Sequence, residues 1–276
     1  VQLPPGDVWL EESLALGDKS ITLNGPEEGV DLWIELDEAG PAFTVEDRLQ
    51  LNNLRIRQQT NVDDADLEDV SIVAMDGGKL ICEGCQLEQS EGALIWINEE
   101  ADLSFTDCGF FIPAGSVVRS SSSTAAREIE FVGCRLLCST ALSLEPQLPR
   151  RVMLTDCELV AEHVAVLETD DPETDDSVCE LEVVDCVLCV SLSVCHLVAR
   201  TSLQEELERL IWHGENNVST GPLLLLSNVE DDEELIDRSD DLLTRDAVKV
   251  INPARVAFDD VEAESDFDIA RLQDPA

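Results

Sequence analysis

The sequence predicts an all-β fold, a single parallel β-solenoid, and three observations carry that prediction. A phrase of fixed outline recurs five times: "LICEGCQLE" (80–88), "LSFTDCGFF" (103–111), "IEFVGCRLL" (129–137), "VMLTDCELV" (152–160) and "LEVVDCVLC" (181–189). The Asp or Gly before each Cys falls at 84, 107, 133, 156 and 185, so the copies are 23, 26, 23 and 29 residues apart. Within each copy apolar residues alternate, which is the two-residue period of a strand.

The elements follow in order. Residues 1–19 read as a lead-in and N-cap, and the array spans 20–228. "LQLNNLRI" (49–56) sets Leu49, Leu51, Asn53, Leu54 and Ile56 into the slots of the later copies. "LIWHGENN" (210–217) supplies Leu210, Trp212 and Gly214, with Gly214 placed at the bend. Units repeating at this length signal a stacked array in which each copy buries its face against its neighbours. Asp, Asn and Gly tolerate the left-handed backbone of a sharp bend, and a second strand starts at the Cys. A third strand follows in most units, at 70–73, 94–97, 141–144, 164–167 and 194–198. Neither the helix nor the fixed Asn pattern of a leucine-rich repeat is visible. Three short strands per turn give about seven to nine coils. Beyond 228, "VEDDEELIDRSDDLLTRD" has helix-compatible spacing, so 229–276 are expected to be an acidic cap and tail over the open end.

The bends and stacked slots resemble the right-handed parallel β-helix, or pectate-lyase-like, superfamily over about 20–228. "LIWHGENN", with its Trp, Gly and paired Asn, also resembles β-helix segments of planctomycete-type surface or kinase-linked proteins. The resemblance implies a right-handed coil whose bends stack into a ladder. It also implies two chemistries: a lyase with an Arg or Lys base beside calcium-held carboxylates, or a hydrolase with aspartates on successive coils.

Composition limits the partners. Hydrophobic residues make up 44% of the 276 and aromatics 4%, with no Tyr, so the core must be built from Leu, Val, Ile, Ala and Cys. Seventeen basic residues against 60 acidic ones leave a net charge of −43, a field that repels nucleic acid and anionic lipid. Such a surface stays hydrated in a saline medium; the sharper alternative is a surface that gathers divalent cations. Apolar runs such as "LLLL" (223–226) are far short of a membrane span, and no membrane insertion is expected of this segment. The chain starts at Val1 with no visible secretion signal. It reads as a processed protein, or a segment of a larger parent chain, with an extracytoplasmic, secreted or cell-surface location.

The candidate chemistry is weighed against plainer roles. Cys85, Cys108, Cys134, Cys157 and Cys186 share one inward slot per coil, suited to a small, apolar, buried side chain. "CEGC" (82–85) and "CVLC" (186–189) resemble half-sites for zinc, but four coils of about 4.8 Å separate them by roughly 19 Å. Free, buried thiols are therefore expected, with Cys138, Cys179, Cys189 and Cys195, outside the ladder, the places for a disulfide. His163 and His196 fall near third strands of consecutive coils and are read as half-buried structural residues. Asp156 and Asp185 share the bend slot of consecutive coils; with Arg150, Arg151 and His163 they form the catalytic alternative, although sharing that slot with glycine marks a turn role. Arg127, Arg150 and Arg151 border the loops "SSSSTAAR" (120–127) and "EPQLPR" (145–150). The insertion "ETDDPETDDSVCE" (168–180) offers Asp170, Asp171, Glu173, Asp175 and Asp176 as weak calcium or magnesium ligands, without the order of a calcium loop. No other cofactor is expected. The reading that results is a non-catalytic binding or scaffold module presenting a flat face to a glycan or protein partner; the alternative is a carbohydrate-active lyase or hydrolase.

Overall fold

The structure, a computed structural model, describes residues 1–237 apart from 27–28, 37–38, 60–69, 121–126, 145–149, 169–178, 200–209, 222–223 and 229–230. Alternating apolar side chains leave each strand with one face to bury, and the strands bury it by closing three sheets around a common core. Sheet A holds the phrase strands: Ser20–Asn24, Arg48–Asn52, 79–83, 102–106, Glu128–Val132, Arg151–Thr155, Cys179–Val184 and Leu210–Glu215. Sheet B follows the bend: Gly6–Leu10, Val30–Ile34, Arg55–Gln58, Gln86–Glu88, 109–112, 135–138, 158–161, 187–190 and Val218–Ser219. Sheet C closes the turn with Leu14–Gly17, Pro41–Val45, 71–75, 93–97, 116–120, 140–144, 163–168, 193–199 and Leu224–Asn228. All of these pairings are parallel. Among the described residues there is no helix. The fold is an all-β parallel solenoid.

Three local expectations change. Gly6–Leu10 and Leu14–Gly17, inside the expected lead-in, pair with Val30–Ile34 and Pro41–Val45, so the stack begins before residue 20. Asp231–Asp237, where the spacing suited a helix, is a strand antiparallel to Leu224–Asn228. Seven residues nucleate a helix poorly, whereas the open edge of sheet C offers ready hydrogen bonds. The bend of the last copy is at Asn216, not Gly214.

That last shift has a packing cause. The bend residues Asn53, Gly84, Asp107, Gly133, Asp156, Asp185 and Asn216 all have φ between 53 and 64°. Gly214 instead pairs with Val183 inside sheet A, and a Cβ there would stand 2.8 Å from Nε1 of Trp212. The missing side chain makes room for the indole, which ends the buried column Leu49, Leu80, Leu103, Ile129, Val152, Leu181. In the next column Phe105 and Phe131 stack at 4.7 Å between Cys82 and Leu154. Each fully buried leucine contributes about 1.5–3 kcal/mol, so long columns of this kind are what hold the rod together.

The five ladder cysteines are buried and, like the other five, unpaired as disulfides. Each thiol donates to a carbonyl of the preceding coil: Cys85 to Leu51 (3.3 Å), Cys108 to Cys82 (3.4 Å), Cys134 to Phe105 (3.5 Å), Cys157 to Phe131 (3.5 Å) and Cys186 to Leu154 (3.4 Å). The acceptor is always three residues before the preceding coil's ladder position, so the bond repeats with the fold. Leu54 begins the row and Asn217 ends it. Neighbouring thiols act in opposite directions on different members: their hydrogen bonds lower Cys85 and Cys157, raise Cys108 and Cys186, and pull Cys134 both ways. Among the described residues neither a cation nor a helix terminus stands beside the row to hold a thiolate. Burial therefore keeps it a line of neutral thiols.

Candidate functional site

Outward side chains form columns along the rod, and one on sheet B is continuous in chemistry. Trp9, Trp33, Arg57 and Glu88 occupy successive rungs, followed by Phe111, Leu137, Val160 and Cys189. Trp9 and Trp33 stack at 5.6 Å with 18° between their planes. The Arg57 guanidinium lies 5.0 Å from the Trp33 ring centre on the following rung, and its Nε is 2.7 Å from Glu88 Oε2. Cation–π contact and ion pair together fix Arg57 against the sheet. Further along the column becomes apolar. There a shallow depression of about 270 Å³ opens between Pro113, Leu137, Val160, Ala161 and Cys189, with Glu162 at its rim. Glu162 accepts a hydrogen bond from Ser139 Oγ at 2.9 Å.

Cys189 is the one partly exposed thiol of the ten. It faces out of sheet B while Cys186 faces the core, so the wall of the solenoid divides this CxxC pair. Burial, then Glu158, raises the Cys189 pKa, which makes it a poor nucleophile. In the other pair, Cys82 and Cys85 are both buried. Among the described residues no group of three or more His, Cys, Asp or Glu is arranged to hold a metal ion. Asp170, Asp171, Glu173, Asp175 and Asp176 lie outside the described residues.

The two histidines on sheet C meet. The rings of His163 and His196 stack at 5.0 Å; His163 Nδ1 is 2.8 Å from Ser193 Oγ, and His196 Nε2 is 2.8 Å from Ser227 Oγ. Burial, then the neighbouring imidazole, lowers His163 to about 4, while burial lowers His196. Each histidine is thus bonded to a serine of the next coil and held neutral. Ser193 is fully buried, which suits a structural bond better than a nucleophile.

The residues of the catalytic alternative are spread out. Asp156 and Asp185 are exposed at the bend between sheets A and B. Arg151 starts its sheet A strand, five residues and roughly 16 Å of extended chain before Asp156. There its Nη2 binds Glu182 Oε2 at 2.6 Å, and this bond raises its pKa. Arg150 is exposed just before that strand, His163 sits in sheet C, and Arg127 Nε pairs with Glu100 at 2.7 Å. The bend aspartates have a conformational partner instead. A Cβ on Gly133 would approach Asp107 Oδ1 to 2.5 Å, and one on Gly84 would approach Asn53 Oδ1 to 2.7 Å. Here glycine leaves space for the Asx side chain of the coil below.

The Trp9–Trp33–Arg57 row was not anticipated from the sequence. Its signal is a near-repeat, "DVWL" (7–10) and "DLWI" (31–34), the first copy lying in the stretch read as a lead-in. The chain matches no family model, and comparison with curated proteins and with solved structures finds no match.

Proposed function

We propose that the chain is a non-catalytic binding module whose recognition surface is the outer side of sheet B. The observation that carries this reading is the in-register column from Trp9 to Cys189, which combines stacked indoles, a fixed guanidinium and an apolar depression along one side of the rod. Flat aromatic and apolar surface with fixed polar groups is what a glycan or protein partner needs, and parallel stacking keeps it rigid at little entropic cost on binding. The module serves within a larger surface-associated protein, and the sequence pattern supports kinship with the right-handed, pectate-lyase-like β-helices. The test incubates the chain with uronate and neutral oligosaccharides, with and without calcium, and measures both retention and cleavage. Retention without turnover, reduced at least tenfold by Val160→Asp, is expected. Turnover abolished by Asp156→Asn or Arg151→Ala would make the protein a carbohydrate-active enzyme instead.

A further inference from the structure

We infer that the outer edge of Gly6–Leu10, the first strand of sheet B, docks a basic extended segment of a partner protein as an added parallel strand. The inference rests on the binding-module reading and names a partner class for the end of the same face. Among the described residues Gly6–Leu10 pairs with one strand only, Val30–Ile34. The Leu10 carbonyl accepts from Glu35 N at 3.0 Å, so the alternation of a strand turns the backbone groups of Asp7 and Trp9 toward the open edge. That leaves two N–H and two C=O groups of the kind an incoming strand pairs with.

The side chains of this rung repeat those of the next. Asp7, Val8, Trp9 and Leu10 lie in register over Asp31, Leu32, Trp33 and Ile34. The protein itself shows what covers such a rung, because Arg55-Ile56-Arg57-Gln58 pairs with the second of them. Arg55 and Arg57 stand 3.8 and 3.9 Å from Asp31 Oδ1, Arg57 stacks on Trp33, and Ile56 is buried. On the first rung Trp33 covers one face of Trp9, and Trp9 remains 56% exposed. Val8 and Leu10 are only partly buried against the end of the core. The open rung thus offers a carboxylate, an indole face and apolar inward positions, the same set that Arg-Ile-Arg satisfies one rung on.

Charge selects the partner. Residues 1–20 contain Asp7, Glu11, Glu12 and Asp18 against the single basic side chain Lys19, in a chain of net charge −43. A second copy would bring the same acids to the same edge, where like charges repel. A strand with Arg or Lys at alternate outward positions and aliphatic residues between them meets every feature of the rung.

The test titrates the full chain with the acetylated, amidated peptide Asn-Asn-Leu-Arg-Ile-Arg-Gln-Gln, the protein's own 52–59, and follows indole fluorescence and heat. Saturable one-to-one binding is expected, weakened at least tenfold by Trp9→Ala. Two altered peptides leave the protein untouched and should lose binding to the same degree: one with both arginines changed to glutamate, one N-methylated at the amides facing the edge. No binding, or binding indifferent to Trp9→Ala or to N-methylation, overturns the inference, since loose charge attraction needs neither indole nor edge. Displacement of the peptide by a neutral oligosaccharide would assign the edge to glycan and overturn it too. Failure of the peptide with retained glycan binding on sheet B leaves the binding-module reading standing; glycan turnover ends that reading without touching the titration.

Discussion

Asn217 stands above Cys186 as a polar end to the thiol ladder: its Oδ1 accepts from the Cys186 backbone N–H at 2.9 Å and its Nδ2 donates to Val183 O at 2.6 Å. The second bond is the one each thiol makes, transferred to an amide. Asn217→Ala should therefore strand a buried donor and a buried acceptor and lower stability by about 2–4 kcal/mol, whereas Asn217→Cys restores one bond and loses less. Urea denaturation of the two variants measures the difference.

The bend ladder makes a coupling prediction. Gly133→Ala places a methyl at φ 64° and against Asp107 Oδ1, so it should destabilise by about 1–2 kcal/mol. Part of that cost is the clash, and Asp107→Gly should return it. A double-mutant cycle showing additive effects would remove the contact from the account.

Thiol chemistry should separate one cysteine from nine. Cys189 faces out of sheet B, while the other nine are buried. Native protein should react with one equivalent of a disulfide reagent on the fast timescale and ten after denaturation. Cys189→Ser should abolish the fast phase.

The stacked histidines make stability depend on pH in a definite direction. The folded His163 pKa, about 4, lies below the unfolded value near 6.5, so the unfolded chain binds the proton first. The contribution is full above pH 6.5, falls as pH drops toward 4, and is absent below. Its size is on the order of 2 kcal/mol after allowance for solvent. Carboxylates titrate in the same window, so the readout is the difference between the protein and His163→Gln, which should lose stability less steeply between pH 6.5 and 4.5.

Much of this rod is legible in the sequence for physical reasons that differ by element. The phrase strands and the cysteine slot show because a period of two and a repeated small residue are local signals, and the structure stacks them as parallel coils. The closeness of His163 and His196 follows from the same frame. Gly214 misled because glycine is read first as a bend, whereas here it makes room for an indole two residues earlier. Trp9, Trp33 and Arg57 escaped notice because they are 24 residues apart, and only register along sheet B brings them face to face. The first coil lacks the cysteine phrase, and the near-repeat of 7–10 at 31–34 is a single pair, too short to stand out as a period.

The thiol ladder and the outer face of sheet B both require the coils to lie squarely over one another, which pulsed spin-label distances can measure. In a Cys189→Ser background, Gln50→Cys would be paired in turn with Met153→Cys, Glu182→Cys and His213→Cys, which occupy one outward column of sheet A. These partners are four, five and six rungs away, so the distances should rise evenly through roughly 19, 24 and 29 Å. Distances that failed to increase by one strand spacing per rung would contradict the stack, and with it the thiol ladder and the face proposed for binding.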